Sequence, residues 1–277
     1  MIAVTVVLAA VLGLLLGSFL NVVVYRVPIG KSIVSPPSAC PNCDHEIAPY
    51  DNIPVMSWLW LRGKCRNCAV PISARYPLVE LATSVSFALV ALGFAPACFA
   101  ATTSAGAVAA ILVMVSFLYL AAITIALALI DLDVHTLPNV IVVPAYAVSA
   151  ALFVAASILT GDFGPLLGAG IAMAALFVLY LVMALVYPGG MGFGDVKLAG
   201  VLGIYLGWAG WGAVAVGAFS AFLLAGVFSI ILLATKRAGR KSGIPFGPWM
   251  FAGAWLGVVV GNSVFASYLS VFDLTVA

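Results

Sequence analysis

AGAVAAILVMVSFLYLAAITIALALIDLDVHTLPN, residues 105–139, is the stretch whose reading decides the fold. From Ala105 to Ile130 it carries no charged side chain. A helix needs about 20 consecutive apolar residues to cross the hydrocarbon core of a bilayer, so this run spans a membrane. It then meets Asp131, Asp133 and His135, and Leu137-Pro138 marks the turn into a second apolar run. The composition agrees. Hydrophobic residues make up 65% of the 277 and charged residues 7%, where a soluble chain carries about 25% charged residues. Mean hydropathy is +1.26, and a soluble core is excluded.

Working outward, apolar runs bounded by Gly, Pro and charges predict about eight helices, near 2–25, 78–98, 105–130, 138–160, 164–187, 195–211, 212–235 and 248–270. The predicted fold class is an all-α polytopic membrane protein. In 195–235, Gly203, Gly207, Gly210 and Gly212 fit either two helices or one broken helix. The first run has no basic residue before it and is longer than the core of a signal peptide, so it reads as a retained first helix.

Eight spans starting outside place the loops 26–77, 131–137, 188–197 and 236–247 on one side. Those loops hold all 11 Lys and Arg residues, including the cluster Lys236, Arg237, Arg240 and Lys241. The other side has only Asp162 and Asp273 near its surfaces. The positive-inside rule makes the basic side cytoplasmic. In a bacterium this means the inner membrane, with both termini outside.

Between the first two helices lies a polar loop with Cys40-Pro-Asn-Cys43 and Cys65-Arg-Asn-Cys68. Two C-x-x-C turns offer four thiolates, a tetrahedral soft-ligand shell suited to a structural Zn²⁺. A cytoplasmic position keeps the thiols reduced and favours metal over disulfides. His45 is a fifth candidate that a closed four-coordinate site does not need, and Cys98, alone in an apolar region, reads as a small hydrophobe. A loop of this size with few apolar clusters is expected to need metal to fold. Trp58, Leu59, Trp60 and Leu61 either pack beneath the zinc site or lie at the membrane interface. The chain divides into a first transmembrane helix (1–25), a small cytoplasmic zinc-binding domain (26–77) and a membrane-embedded domain (78–277).

Ionisable residues at membrane depth are costly and functional by default. Asp131, Asp133 and Asp195, the last within GGMGFGDVK (189–197), are the candidates. Otherwise they cap helices or pair with His135 and Lys197. Two carboxyl groups from different helices, held close, share one proton, so that one serves as base towards water and the other as acid. Gly192 and Gly194 leave room for an extended substrate backbone beside Asp195.

Six blocks resemble the prepilin peptidases, or type IV leader peptidases: GSFLNVVVYRVP (17–28), SPPSACPNC (35–43), DNIPVMSWLWLRGKCRNC (51–68), DLDVHTLPN (131–139), GMGFGDVKL (190–198) and IPFGPW (244–249). The resemblance implies that the first Asp of D-x-D-x-x-x-L-P and the Asp of G-x-G-D form the catalytic pair, here Asp131 and Asp195, with Asp133 the rival for the first role. The chain departs from many members at Asn139, where they carry Asp. The resemblance also implies the substrates, which are precursors of type IV pilins and type II secretion pseudopilins. Their short basic leaders end in Gly, followed by Phe and a hydrophobic helix. A second activity is implied too, N-methylation of the new N-terminus with S-adenosylmethionine as donor, associated with the cysteine region. Partners are then these precursors and the lipid bilayer, with no nucleic acid. Two other readings use fewer of these features. A proton-coupled transporter would show inverted repeats, and an assembly factor docking through its zinc loop leaves both aspartate motifs unused.

Overall fold

The computed structural model describes residues 1–187, 189–236 and 243–272. Arg237, Arg240 and Lys241 of the basic cluster, Asp273 and Pro188 lie outside the described residues. The regular elements among the described residues are all helices, joined by turns and two isolated β-bridges. The chain forms two compact units, residues 1–126 and 127–277.

In the first unit, α1 (Ile2–Arg26) runs into the cysteine loop, which holds a 3-10 turn (Pro49–Asp51) and a short α-helix, α2 (Met56–Trp60). Helix α3 (Arg75–Ala100) follows and packs along α1. The approach is close because α1 presents Gly13 and Gly17. A methyl group on either would come within 2.7 Å of the α3 backbone at Ser84 or Glu80. Small residues one turn apart let membrane helices meet backbone to backbone, where lipid supplies no hydrophobic drive. Ser84 Oγ donates to the Ala10 carbonyl at 2.9 Å across this seam.

Helix α4 (Ser104–Val134) begins in the first unit and ends in the second. It continues four residues beyond the apolar run, so the loop expected at 131–137 shrinks to 135–138. Charge stops a hydropathy window, but it does not stop backbone hydrogen bonding. Asp131 and Asp133 therefore stand in the last turn of α4. Helices α5 (Asn139–Thr160) and α6 (Gly164–Val186) form a hairpin closed at Gly161, whose φ is +71°.

Helix α7 (Phe193–Ala209) has 17 residues, and nearly all of it from Val196 to Gly207 is buried. It is too short for the usual span length, yet α5, α6, α8 (Trp211–Ala234) and α9 (Gly247–Leu256) all pack on it. Gly203 and Gly207 bring its backbone against that of α6. The ambiguous region 195–235 is thus two helices, broken at Gly210 with φ +124°. Asn262 bridges the break, donating to the Ala209 carbonyl at 2.8 Å and accepting from Ala213 N–H at 3.2 Å. The final span, Gly247–Ser270, comprises α9, one π-helical stretch (Gly257–Gly261) and α10 (Asn262–Ser270). Seven helices among the described residues, with α9 to α10 counted as one, are long and apolar enough to cross a membrane.

Candidate active site and metal centre

The cysteine loop is built from one turn used twice. At Cys40 the backbone N–H donates to His45 O (3.0 Å), and Asp44 N–H donates back to Cys40 O (2.9 Å). At Cys65 the same pair recurs, to Val70 O (2.9 Å) and from Ala69 (3.0 Å). Asp44 and Ala69, at matching positions, both have positive φ, and isolated β-bridges Ala39–Glu46 and Lys64–Pro71 close the two turns. The four Sγ atoms lie within 4.8 Å of one another, with Cys40 and Cys68 at 3.7 Å. Zinc–sulfur bonds of about 2.3 Å in a tetrahedron set the sulfurs about 3.8 Å apart, so the cluster fits such an ion after small adjustments. His45 is exposed and is not part of the cluster. Backbone N–H groups of Asn42 and Cys43 lower the Cys40 thiol, and that of Val70 lowers Cys68 to about 6. At Cys43 the His45 N–H acts the same way, but burial and the neighbouring sulfurs hold the thiol up at about 12. Four crowded sulfurs resist joint ionisation, and a divalent cation relieves that conflict.

The rest of the loop holds the two turns in place. Asp51 accepts two hydrogen bonds from Arg66, at 2.7 and 2.5 Å, and the Arg66 guanidinium lies 5.4 Å over the Tyr50 ring. Trp58 packs inside the loop, its indole N–H on Ile72 O at 3.1 Å, whereas Leu59 and Trp60 are exposed. Glu80 of α3, only 7% exposed, accepts the Val55 N–H at 2.7 Å. Val55 has φ +61°, a costly backbone state for a β-branched residue. The carboxylate holds it there, a contact that no sequence signal announced.

In the second unit, Asp131 is 5% exposed, whereas Asp133 faces outward from the same turn. Asp131 Oδ2 accepts the Gly247 N–H at 2.9 Å. Gly247 is the first residue of α9 and Pro248 follows it, so this is a helix N-terminus whose free N–H points at a carboxylate. Asp195 sits in the first turn of α7 and accepts the Gly192 N–H at 3.1 Å. Asp131 lies within Coulombic reach of Asp195. Leu137 ties the two sides together. A methyl group on Gly194 would meet Leu137 Cβ at 3.0 Å, and one on Gly247 would meet Leu137 Cδ2 at 3.4 Å. The D-x-D-x-x-x-L-P segment, the G-x-G-D segment and the N-terminus of α9 thus converge on one leucine.

Behind them stands an aromatic wall of Tyr180, Phe222 and Phe246, with centroids 5.3 to 6.2 Å apart. Tyr180 is buried and within Coulombic reach of Asp195. Lys197 Nζ donates to Asn139 Oδ1 at 2.8 Å, so Lys197 and Asn139, not Lys197 and Asp195, are partners. The block IPFGPW (244–249) declares no role of its own in the sequence. Its Gly-Pro pair, typical of a helix start, was the available signal.

Comparison with known proteins agrees with this division. The N-terminal domain of bacterial A24 peptidases matches residues 11–94, which include the cysteine loop. The type IV leader peptidase family matches residues 118–234, which include Asp131 and Asp195. A protein of Aeromonas hydrophila named prepilin leader peptidase/N-methyltransferase is 33% identical over 94% of this chain and 92% of its own length. The chain belongs to the type IV leader peptidase family. A relative of the same name from Pseudomonas aeruginosa is 35% identical over 93% of this chain and 91% of its own. One from Myxococcus xanthus is 39% identical over 84% of this chain and 64% of its own. No solved structure matches the chain.

Proposed function

We propose that this protein is an aspartyl endopeptidase of the bacterial inner membrane that removes the leaders of type IV prepilins and type II secretion pseudopilins, and then N-methylates the new N-terminus. The observation that carries the peptidase reading is the convergence of Asp131 and Asp195 around Leu137, each with a backbone N–H on one oxygen. That leaves each carboxyl group an oxygen for water or substrate. The pair shares one proton. The ionised carboxylate takes a proton from water as the water oxygen attacks the scissile carbonyl carbon, and the protonated one donates to the carbonyl oxygen. Collapse of the tetrahedral species breaks the C–N bond after the leader's terminal Gly, with a proton delivered to the leaving nitrogen. The aromatic rings of Tyr180, Phe222 and Phe246 lower the local polarity, which strengthens the fields acting on these charges.

The buried position of Asp131 and the outward position of Asp133 favour Asp131 for the first role. Cleavage at the cytoplasmic face is supported by the confinement of Lys and Arg to the loops of one side. Cys40, Cys43, Cys65 and Cys68 would hold Zn²⁺, which would supply a structural cross-link of the loop rather than a catalytic centre. The methyl group comes from S-adenosylmethionine, and the names of the relatives support this second activity. The test is mass spectrometry of a purified prepilin precursor incubated with the enzyme, with and without S-adenosylmethionine. The expected products are the shortened chain without the donor and the shortened, methylated chain with it. An uncut precursor would refute the peptidase reading, and a cut but unmethylated product would refute the second activity.

A further inference from the structure

We propose that Lys197, Asn139 and Tyr146 form a brace that fixes the spacing of Asp131 and Asp195, with Lys197 as its positioning residue. The inference rests on reading those aspartates as the catalytic pair. Lys197 follows Asp195 by two residues on α7 and is held at both ends. Its Nζ donates to Asn139 Oδ1 at 2.8 Å, and its carbonyl oxygen accepts from the Tyr146 hydroxyl at 2.6 Å. The ammonium also lies 4.8 Å over the Phe193 ring, which limits its freedom to swing into solvent.

Both partners belong to α5. Asn139 is its first residue, and Tyr146 lies about two turns further on, hence on the same face. The N-terminal end of α7 is therefore fastened to about 10 Å of α5. The second fastening requires a glycine, because a methyl group at Gly200 would occupy the position of the Tyr146 hydroxyl. The start of α5 matters to Asp131 because only residues 135–138 separate it from the last turn of α4. Leu137 in that link lies against Gly194, next to Asp195, and against Gly247, whose N–H holds Asp131. A shift of α5 relative to α7 therefore moves Leu137, which packs against the glycines that flank Asp195 and hold Asp131. Misplacement of reacting groups by about 1 Å costs about 100-fold in rate.

The brace touches no substrate in this scheme, so its loss must appear in turnover. With detergent-solubilised full-length enzyme and a purified prepilin precursor, Lys197→Met and Asn139→Leu are each expected to lower kcat about 10- to 100-fold with KM within about twofold. The double variant should be no slower than the worse single one, because both lose the same contact. Lys197→Arg, which can still donate to Asn139, should recover most of the lost kcat. Tyr146→Phe removes one hydroxyl from a retained ring and should lower kcat about 3- to 10-fold. A higher KM at unchanged kcat for Lys197→Met would make Lys197 a substrate contact and overturn the brace. Additive losses in the double variant, or parental kcat in Tyr146→Phe, would overturn it as well. The Tyr146 result decides if the Lys197 variants do not fold. Asp195→Asn, assayed alongside, separates the two claims. If it cleaves fully, the catalytic-pair reading falls. If it is inactive while the brace variants match the parent, only the brace falls.

Discussion

Asp131 and Asp133 share one helical turn, but Asp131 is buried and accepts the Gly247 N–H, whereas Asp133 is exposed. Asp131→Asn and Asp195→Asn are each predicted to lower kcat about 1,000-fold or more, with the double variant no worse than either single one, as for residues that act as a unit. Asp133→Asn should stay within about threefold of the parent in the same cleavage assay. Gly247 provides a finer probe. A methyl group there would lie 2.8 Å from Asp131 Oδ2, too close for van der Waals contact. Gly247→Ala should therefore displace the carboxylate and lower kcat about 10- to 100-fold, with bound metal unchanged on elemental analysis. The aspartates were legible in the sequence because a carboxylate stands out against lipid-facing residues. Their supports were not. A backbone N–H has no letter of its own, and Leu137 looks like any other apolar residue until two glycines are seen against it.

At the scale of elements, most helices were legible because the bilayer imposes a length on every apolar run. The exceptions have physical causes. Helix α4 outlasts its apolar stretch because Asp131 and Asp133 are accommodated in its last turn. The α7–α8 boundary was ambiguous because glycine is tolerated within membrane helices, and the break at Gly210 depends on Asn262, some fifty residues away. The four-cysteine cluster was legible from cysteine spacing alone, and the proposed metal in it can be tested directly. Replacing Cys40 and Cys43 together by Ser should remove about one zinc per chain and expose the loop to protease. Unchanged bound zinc would refute the four-thiolate site. Glu80→Leu should lower the apparent Tm of the zinc-loaded protein, because the Val55 N–H loses its acceptor in a strained turn. Glu80→Gln should lower it less, since an amide oxygen can still accept.

At the scale of the molecule, the distribution of Lys and Arg predicts an orientation that can be tested. Asp162, between α5 and α6, and Lys236, after α8, lie at opposite ends of spans within one unit. In a variant otherwise free of reactive cysteine, Asp162→Cys should react with an impermeant thiol reagent in intact spheroplasts. Lys236→Cys should react only after the membrane is opened. The reverse pattern would invert the orientation drawn from Lys and Arg. The repeated turn of the cysteine loop has a consequence for biosynthesis. Each copy brings only two of the four sulfurs, and Cys65 follows Cys40 by 25 positions in the chain. At about 5–20 residues per second, the ribosome delivers the second copy about 1–5 s after the first. During that interval the nascent chain can offer a metal ion only half a shell. Metal capture thus waits until α1 has been made, and it can be complete before α3 leaves the ribosome. The clip would then close at the membrane surface while the partner helix of α1 is still to come.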